Sequence, residues 1–90
     1  MNITPQQLDE GVTLYNYTEN HKKYWSIQYK VEEKQLIRTW GRIGNAPQVM
    51  EEPYNSRGQA LSKAYQLLDE KYAKGYRLEA EMLNFILNEH

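Results

Sequence analysis

The chain contains no cysteine, and this absence excludes several kinds of site at once. Disulfide bridges, iron–sulfur clusters, thiol nucleophiles and most structural zinc sites all need cysteine. Histidine is nearly as scarce, because the chain has two, His21 and His90, and they do not have the spacing of paired metal ligands. The sequence therefore predicts no metal site, and nothing in it indicates a cofactor.

Long apolar runs are missing as well. No stretch approaches the roughly 20 apolar residues that span a bilayer. The N-terminal MNITPQQLDEG also lacks the basic and apolar zones of a secretory signal. These absences predict a cytoplasmic protein without a membrane partner. With 90 residues, 40% of them apolar and 26% charged, the composition predicts one folded domain over residues 1–90.

The residue groupings that carry catalysis are also absent from the sequence. There is no glycine-rich phosphate loop after a strand and no nucleophile paired with a histidine base. Acidic pairs such as Glu32/Glu33 and Glu51/Glu52 are neighbours in the chain, and neighbours on a strand or helix do not converge on one substrate atom. We predict that the chain is not an enzyme.

Positive charge is present but confined to one segment. The formal net charge is −1, whereas residues 22–44 carry six basic side chains against two acidic ones. A local concentration of this kind matters more to a polyanionic partner than the total charge does.

Side-chain alternation with period two predicts a β-hairpin in this segment. Residues 23–31 place Trp25, Ile27 and Tyr29 on one face, which we predict to be core. A polar connection of hairpin length leads to residues 35–43, which alternate again.

The second strand of the hairpin, QLIRTWGRI, has two unlike faces. Ile37 and Ile43 share one face, and Arg38, Trp40 and Arg42 share the other. Because unpaired arginines are costly to bury, we predict that the core lies on the isoleucine side and that the other three side chains face outward.

Residues 57–74 are predicted to form one long helix. Ser56 and Gln59 have the spacing of a capping box at its start, and apolar residues recur along it at intervals of three and four. Gly75 is placed to adopt a left-handed cap at the C-terminal end.

Further elements complete the predicted fold. Strands are predicted at 12–18 and 49–54, one or two helical turns after Thr4, and a second helix at 78–89. The fold class is α+β, an antiparallel sheet of three to four strands with one long helix packed on one face, plus a C-terminal helix. The domain core spans about 12–76, and the C-terminal helix is an extension of it.

The elements around TWGRIG resemble the WGR domain family, which is named for the triplet that stands here as Trp40, Gly41 and Arg42. The likeness runs over about residues 22–76 and includes the KGY that ends the long helix. The sequence departs from the pattern at Ala46, where a second glycine is common. WGR domains occur in DNA-dependent poly(ADP-ribose) polymerases and as small free-standing bacterial proteins, and this chain looks like the latter.

The resemblance implies a non-catalytic nucleic-acid-binding module that contacts DNA ends or backbone. In the polymerases the motif tryptophan packs against a terminal nucleotide and the motif arginine serves the DNA and neighbouring domains, roles that fall here on Trp40 and Arg42. The face and charge of the hairpin add Arg38, Lys30 and Lys23 as candidate contacts. DNA is favoured over RNA as the partner.

Different roles for the same side chains stay open at this point. Trp40 would be a core residue if the 78–89 helix folded back over it. Arg38 and Arg42 would be ordinary ion-pair partners if they met the acidic pair at 51–52.

A second function also stays open. The near-neutral net charge favours a protein-interaction or regulatory domain that uses the same face or the C-terminal helix. That helix either caps its own domain or docks on a second copy, which predicts a monomer or a weak homodimer.

Overall fold

The computed structural model describes residues 2–18 and 22–82. Its elements are, in chain order, α1 (Pro5–Glu10), β1 (Val12–Asn16), β2 (Lys23–Lys30), β3 (Gln35–Arg42), β4 (Gln48–Pro53), α2 (Arg57–Ala73) and β5 (Arg77–Leu78). Residues 79–82 begin another helix, and the remainder of the predicted C-terminal helix lies outside the described residues. No helix within the described ranges is long and apolar enough to cross a membrane.

All five strands form one antiparallel sheet in the order β4-β3-β2-β1-β5. The predicted α+β class is confirmed, with five strands instead of three to four. The additional strand is β5, which pairs Leu78 with Leu14 and Arg77 with Tyr15. Two residues are too few for a periodic pattern, so the sequence alone gave no sign of it.

The register of the β2–β3 hairpin decides which face of the sheet is the core. Trp25 pairs with Trp40, and Tyr29 pairs with Leu36. Residues directly opposite each other on antiparallel strands point to the same face. Because Leu36 is fully buried under the helices, Trp40 lies on the helix-bearing face with it. The prediction that Arg38, Trp40 and Arg42 face outward, away from the core, is therefore wrong, because all three share this face of the sheet.

The isoleucines of β3 are correspondingly outside the core. Ile37 is half-buried on the face away from the helices, and Ile43 is 48% exposed. The core tolerates Arg38 on its own face because Glu52 of β4 forms an ion pair with the guanidinium. Arg42 is tolerated because it lies at the end of the strand, where it is exposed.

The long helix covers the core face with a stripe of small and apolar residues. Ser56 begins it as predicted, since its hydroxyl accepts the Gln59 N–H at 3.2 Å. The short helix α1 adds the fully buried Leu8, and its Asp9 pairs with Arg57 at 2.7 Å. The buried residues on this side are Ile3, Leu8, Val12, Leu14, Trp25, Ile27, Tyr29, Leu36, Ala60, Ala64, Leu67 and Leu68.

Candidate functional site

A groove with a volume of about 400 Å³ lies at one end of the β2–β3 hairpin. Strand β3 contributes Trp40 and Arg42, β2 contributes Lys23, and the C-terminal end of α2 contributes Lys71, with Tyr76 just beyond. Three cationic side chains from three elements thus meet at one place, and none of the described residues that line the groove is acidic.

Trp40 joins the groove to the core. It is half-buried, packs against the core cluster, and lies directly opposite Trp25 on β2 and Gln48 on β4. One part of the indole is therefore anchored by apolar packing while another part lines the groove. Whether residues 83–90 add to this packing lies outside the described residues.

Lys23 and Arg42 form the cationic floor of the groove. They are directly paired across the end of the hairpin, so their side chains share the helix-bearing face. Like charges in this position repel each other. Two cationic side chains held side by side in this way suit the negative charge of a phosphate.

Arg38 shares the face of Trp40 but does not line the groove. Its guanidinium pairs with Glu52 and also contacts the Met50 sulfur at 2.6 Å, and its side chain is 17% exposed. The alternative in which this arginine meets a carboxylate of β4 is therefore confirmed for Arg38. It influences the groove through its charge rather than by contact.

The structure does not bring Lys30 together with the other candidates. Lys30 pairs with Gln35 and points to the face away from the helices, whereas Lys23 points to the helix-bearing face. The two lysines lie at opposite ends of β2, roughly 23 Å apart for an extended strand. Lys30 therefore lies on a different surface from the other four candidates.

Lys71 and Tyr76 are groove residues that the sequence interpretation missed. Gly75 has a φ of 99°, in the left-handed region expected for the cap of α2. Its N–H donates to the Tyr72 carbonyl and the Tyr76 N–H donates to the Lys71 carbonyl, each at 3.1 Å. These two hydrogen bonds reverse the direction of the chain, so the side chains of Lys71 and Tyr76 both reach the groove.

Helical spacing would have identified Lys71. It follows Leu68 by three residues and Ala64 by seven, so it continues the buried stripe of α2 toward the sheet.

The ammonium group of Lys71 lies between aromatic rings and other cations. Its Nζ is 5.7 Å from the centroid of the Trp25 ring and 5.5 Å from that of Tyr76. Burial lowers the pKa of Lys71, and the charge of Lys74 lowers it further. Burial also raises the pKa of the Tyr76 phenol.

The described part of the chain contains no group of three or more His, Cys, Asp or Glu side chains that could hold a metal ion. His21 and His90 lie outside the described residues.

The chain is similar to known proteins in sequence and in fold. The model of the family described as WGR domain matches residues 11–82. The crystal structure of a protein from Bacteroides fragilis superposes with a TM-score of 0.69 and 26% identity, over 81% of this chain and 20% of that one, so this chain spans about a fifth of its length. A search of curated proteins finds no match. Because the family model covers far more than half of the residues, and its namesake triplet lines the groove, the chain belongs to the WGR domain family.

Proposed function

We propose that the chain is a non-catalytic cytoplasmic module that binds nucleic acid, holding DNA ends or backbone in the groove. The observation that carries this proposal is the meeting of three cations, Lys23, Arg42 and Lys71, around the half-buried indole of Trp40. Membership of the WGR family supports it further.

The three cations would bind the phosphate backbone. The Arg42 guanidinium can fork onto two phosphate oxygens, while the Lys23 and Lys71 ammonium groups act as point charges on either side. Each phosphate neutralised releases counterions from the DNA, so the affinity falls steeply as salt is added.

The rings of Trp40 and Tyr76 would contact a sugar or a base. Stacking on an aromatic side chain contributes about 1–3 kcal/mol per base. Because Trp40 is already held by core packing, it loses little side-chain freedom on binding, and most of that contribution is retained. A nucleotide at a strand end exposes a base or sugar face that this arrangement could cover.

The two remaining candidates have different places in the proposal. Arg38 does not line the groove, and it adds positive charge near Lys71 while it forms an ion pair with Glu52. Lys30 lies outside the interface because it points to the opposite face of the sheet.

The test is a titration of the protein with fluorescently labelled nicked and blunt-ended duplexes at two salt concentrations, read by anisotropy. Trp40→Leu keeps apolar bulk in the core but removes the aromatic face, and we expect it to weaken binding by about 1–3 kcal/mol. We expect Arg42→Ala to weaken it by about 1 kcal/mol or more through the lost phosphate contact.

Arg57→Ala is the matched control for Arg42→Ala. Arg57 begins α2 and Lys71 lies near its other end, roughly 21 Å away along the helix. The control should bind like the wild type. Absence of binding near micromolar protein at low salt, or equal binding by all the variants, would contradict the proposal and favour a protein-interaction domain.

A further inference from the structure

Lys71 differs from the other cations of the groove because a helix carries it and the core partly covers it. The Lys71 side chain extends from the buried stripe of α2, beyond Leu68, and is half-buried where it lines the groove. Its Nζ lies over the rings of Trp25 and Tyr76 at 5.7 and 5.5 Å. The amine is thus partly withdrawn from water but open to a small molecule that enters the groove.

Positive charges approach this amine from several elements. Lys23 of β2 and Arg38 of β3 both disfavour its protonated form, as does Lys74 at the end of its own helix. Glu70 acts in the opposite direction, but burial is the largest influence and the pKa of Lys71 is lowered. A lysine desolvated next to other cations is the kind of lysine that reacts as a nucleophile.

The same cations make the groove a receptor for a small anion. Lys23 and Arg42 are directly paired and face the groove together with Lys71. The groove volume of about 400 Å³ is many times the roughly 30 Å³ of a water molecule in the liquid, so it has room for an acyl group and a phosphate together.

We propose that the Lys71 amine is a site of covalent acylation, with small acyl phosphates as the acyl donors. The phosphate group lies between Lys23 and Arg42, and the carbonyl carbon faces the Lys71 nitrogen. The acylation itself does not depend on the function proposed above. Its effect on DNA affinity does rest on that function.

The reaction is an acyl transfer to nitrogen. The lone pair of the neutral Lys71 amine attacks the carbonyl carbon and forms a C–N bond. The bond between that carbon and the bridging phosphate oxygen breaks, and the phosphate leaves with its electron pair. The nitrogen passes one proton to the departing phosphate, so the products are an N-acyl lysine and hydrogen phosphate. Acylation removes one of the three cations of the groove.

The experiment treats the full chain with acetyl phosphate and follows acetylation of each lysine by quantitative peptide mass spectrometry. Lys63 is the internal reference, because it lies on the same helix and is half-buried like Lys71 but does not line the groove. We expect acetylation of Lys71 to begin several-fold faster than that of Lys63. Equal or slower modification of Lys71 would overturn the proposal.

The Arg42→Ala variant separates binding of the donor's phosphate from the reactivity of the Lys71 amine. In this proposal Arg42 binds the phosphate of the donor and does not contact the acyl group. We therefore expect Arg42→Ala to slow the reaction with acetyl phosphate several-fold more than it slows the reaction with p-nitrophenyl acetate, a neutral donor. An Arg42→Ala protein that reacts with acetyl phosphate at the wild-type rate would overturn the recruitment step.

The effect on DNA is measured separately with Lys71→Gln, which mimics the acylated side chain. If acetyl phosphate modifies Lys71 selectively and Lys71→Gln still binds DNA like the wild type, the acylation site stands and the proposed DNA interface is contradicted. If Lys71→Gln weakens DNA binding but Lys71 is not selectively acetylated, the acylation proposal is contradicted and the proposed DNA interface stands.

Discussion

Lys71 combines two requirements that conflict at the scale of one residue. Its stem continues the apolar stripe of α2 and covers part of the sheet, while its ammonium group is held beside other cations. A charged group that is partly withdrawn from water and lies near like charges makes the folded state less stable. A lysine at this position is therefore suited to binding an anion and not to stabilising the fold.

The lowered pKa of Lys71 predicts how stability depends on pH. As pH rises through its folded-state pKa, the folded protein releases the proton before the unfolded chain does, since the ordinary value is 10.5. The unfolded state then binds more protons, so this group adds stability that is fully present above 10.5 and lost as pH falls. We expect Lys71→Met to be more stable than the wild type at pH 7, with the difference shrinking toward pH 10 in urea unfolding.

Other groups do not obscure this comparison. Burial raises the pKa values of Tyr15 and Tyr76, so their contribution to stability is lost as pH rises above about 10, with the opposite sign. Both tyrosines are present in both proteins, and below pH 10 their phenols stay largely protonated, so they contribute little to the difference. A difference between Lys71→Met and the wild type that stays constant from pH 7 to pH 10 would contradict the prediction.

At the scale of elements, the C-terminal turn of α2 determines whether the groove has its third cation. The two hydrogen bonds that close this turn require the positive φ of Gly75. The Asn16 side chain also donates to the Lys74 carbonyl at 3.3 Å, which ties the end of the helix to β1. A single backbone conformation therefore positions both Lys71 and Tyr76.

Gly75→Ala is expected to destabilise the protein by about 1–2 kcal/mol, the cost of a left-handed conformation for a residue with a Cβ. Urea unfolding measures it. We also expect weaker DNA binding, because the turn that positions Lys71 is distorted.

Gly58→Ala is the control of the same chemical type. Gly58 lies in the first turn of α2, and a Cβ there meets nothing within 4 Å. We expect this variant to be as stable as the wild type or more stable by up to about 1 kcal/mol. Equal destabilisation by the two variants would show that the Gly75 turn has no special role.

The elements themselves were largely predictable from local sequence. Strand β2 and helix α2 begin and end within one or two residues of their predicted bounds, because alternation and capping are local signals. Strand β5 was missed because its two residues are a strand only by pairing with Leu14 and Tyr15, which lie far away in the chain.

At the scale of the whole molecule, the position of charge matters more than its sum. The net charge of −1 gives little attraction for a polyanion, yet the fold gathers three cations at one groove. Lys23 and Lys30 test this distinction because they are the same residue type on the same strand, both half-buried, on opposite faces.

Lys23→Ala and Lys30→Ala change the net charge equally, so any difference between them reports position. We expect Lys23→Ala to make the dependence of log K on log salt shallower by roughly 0.9, the value for one phosphate contact on duplex DNA. Lys30→Ala should leave the slope unchanged. Anisotropy titrations at four or more salt concentrations measure both slopes. Equal slopes for the two variants would indicate attraction by overall charge rather than by the groove.

The sequence by itself determined strands β1 to β4, the long helix, its caps and the triplet at Trp40, because each depends on residues close together in the chain. The tertiary structure decided which face of the sheet is buried, since alternation defines two faces but does not say which one a helix covers. The four residues at 31–34 bring Lys30 opposite Gln35, and this register puts Leu36 and Trp40 on the core side. The tertiary structure also brought Lys71 to the groove, because the packing of α2 on the sheet joins residues that no local sequence pattern connects.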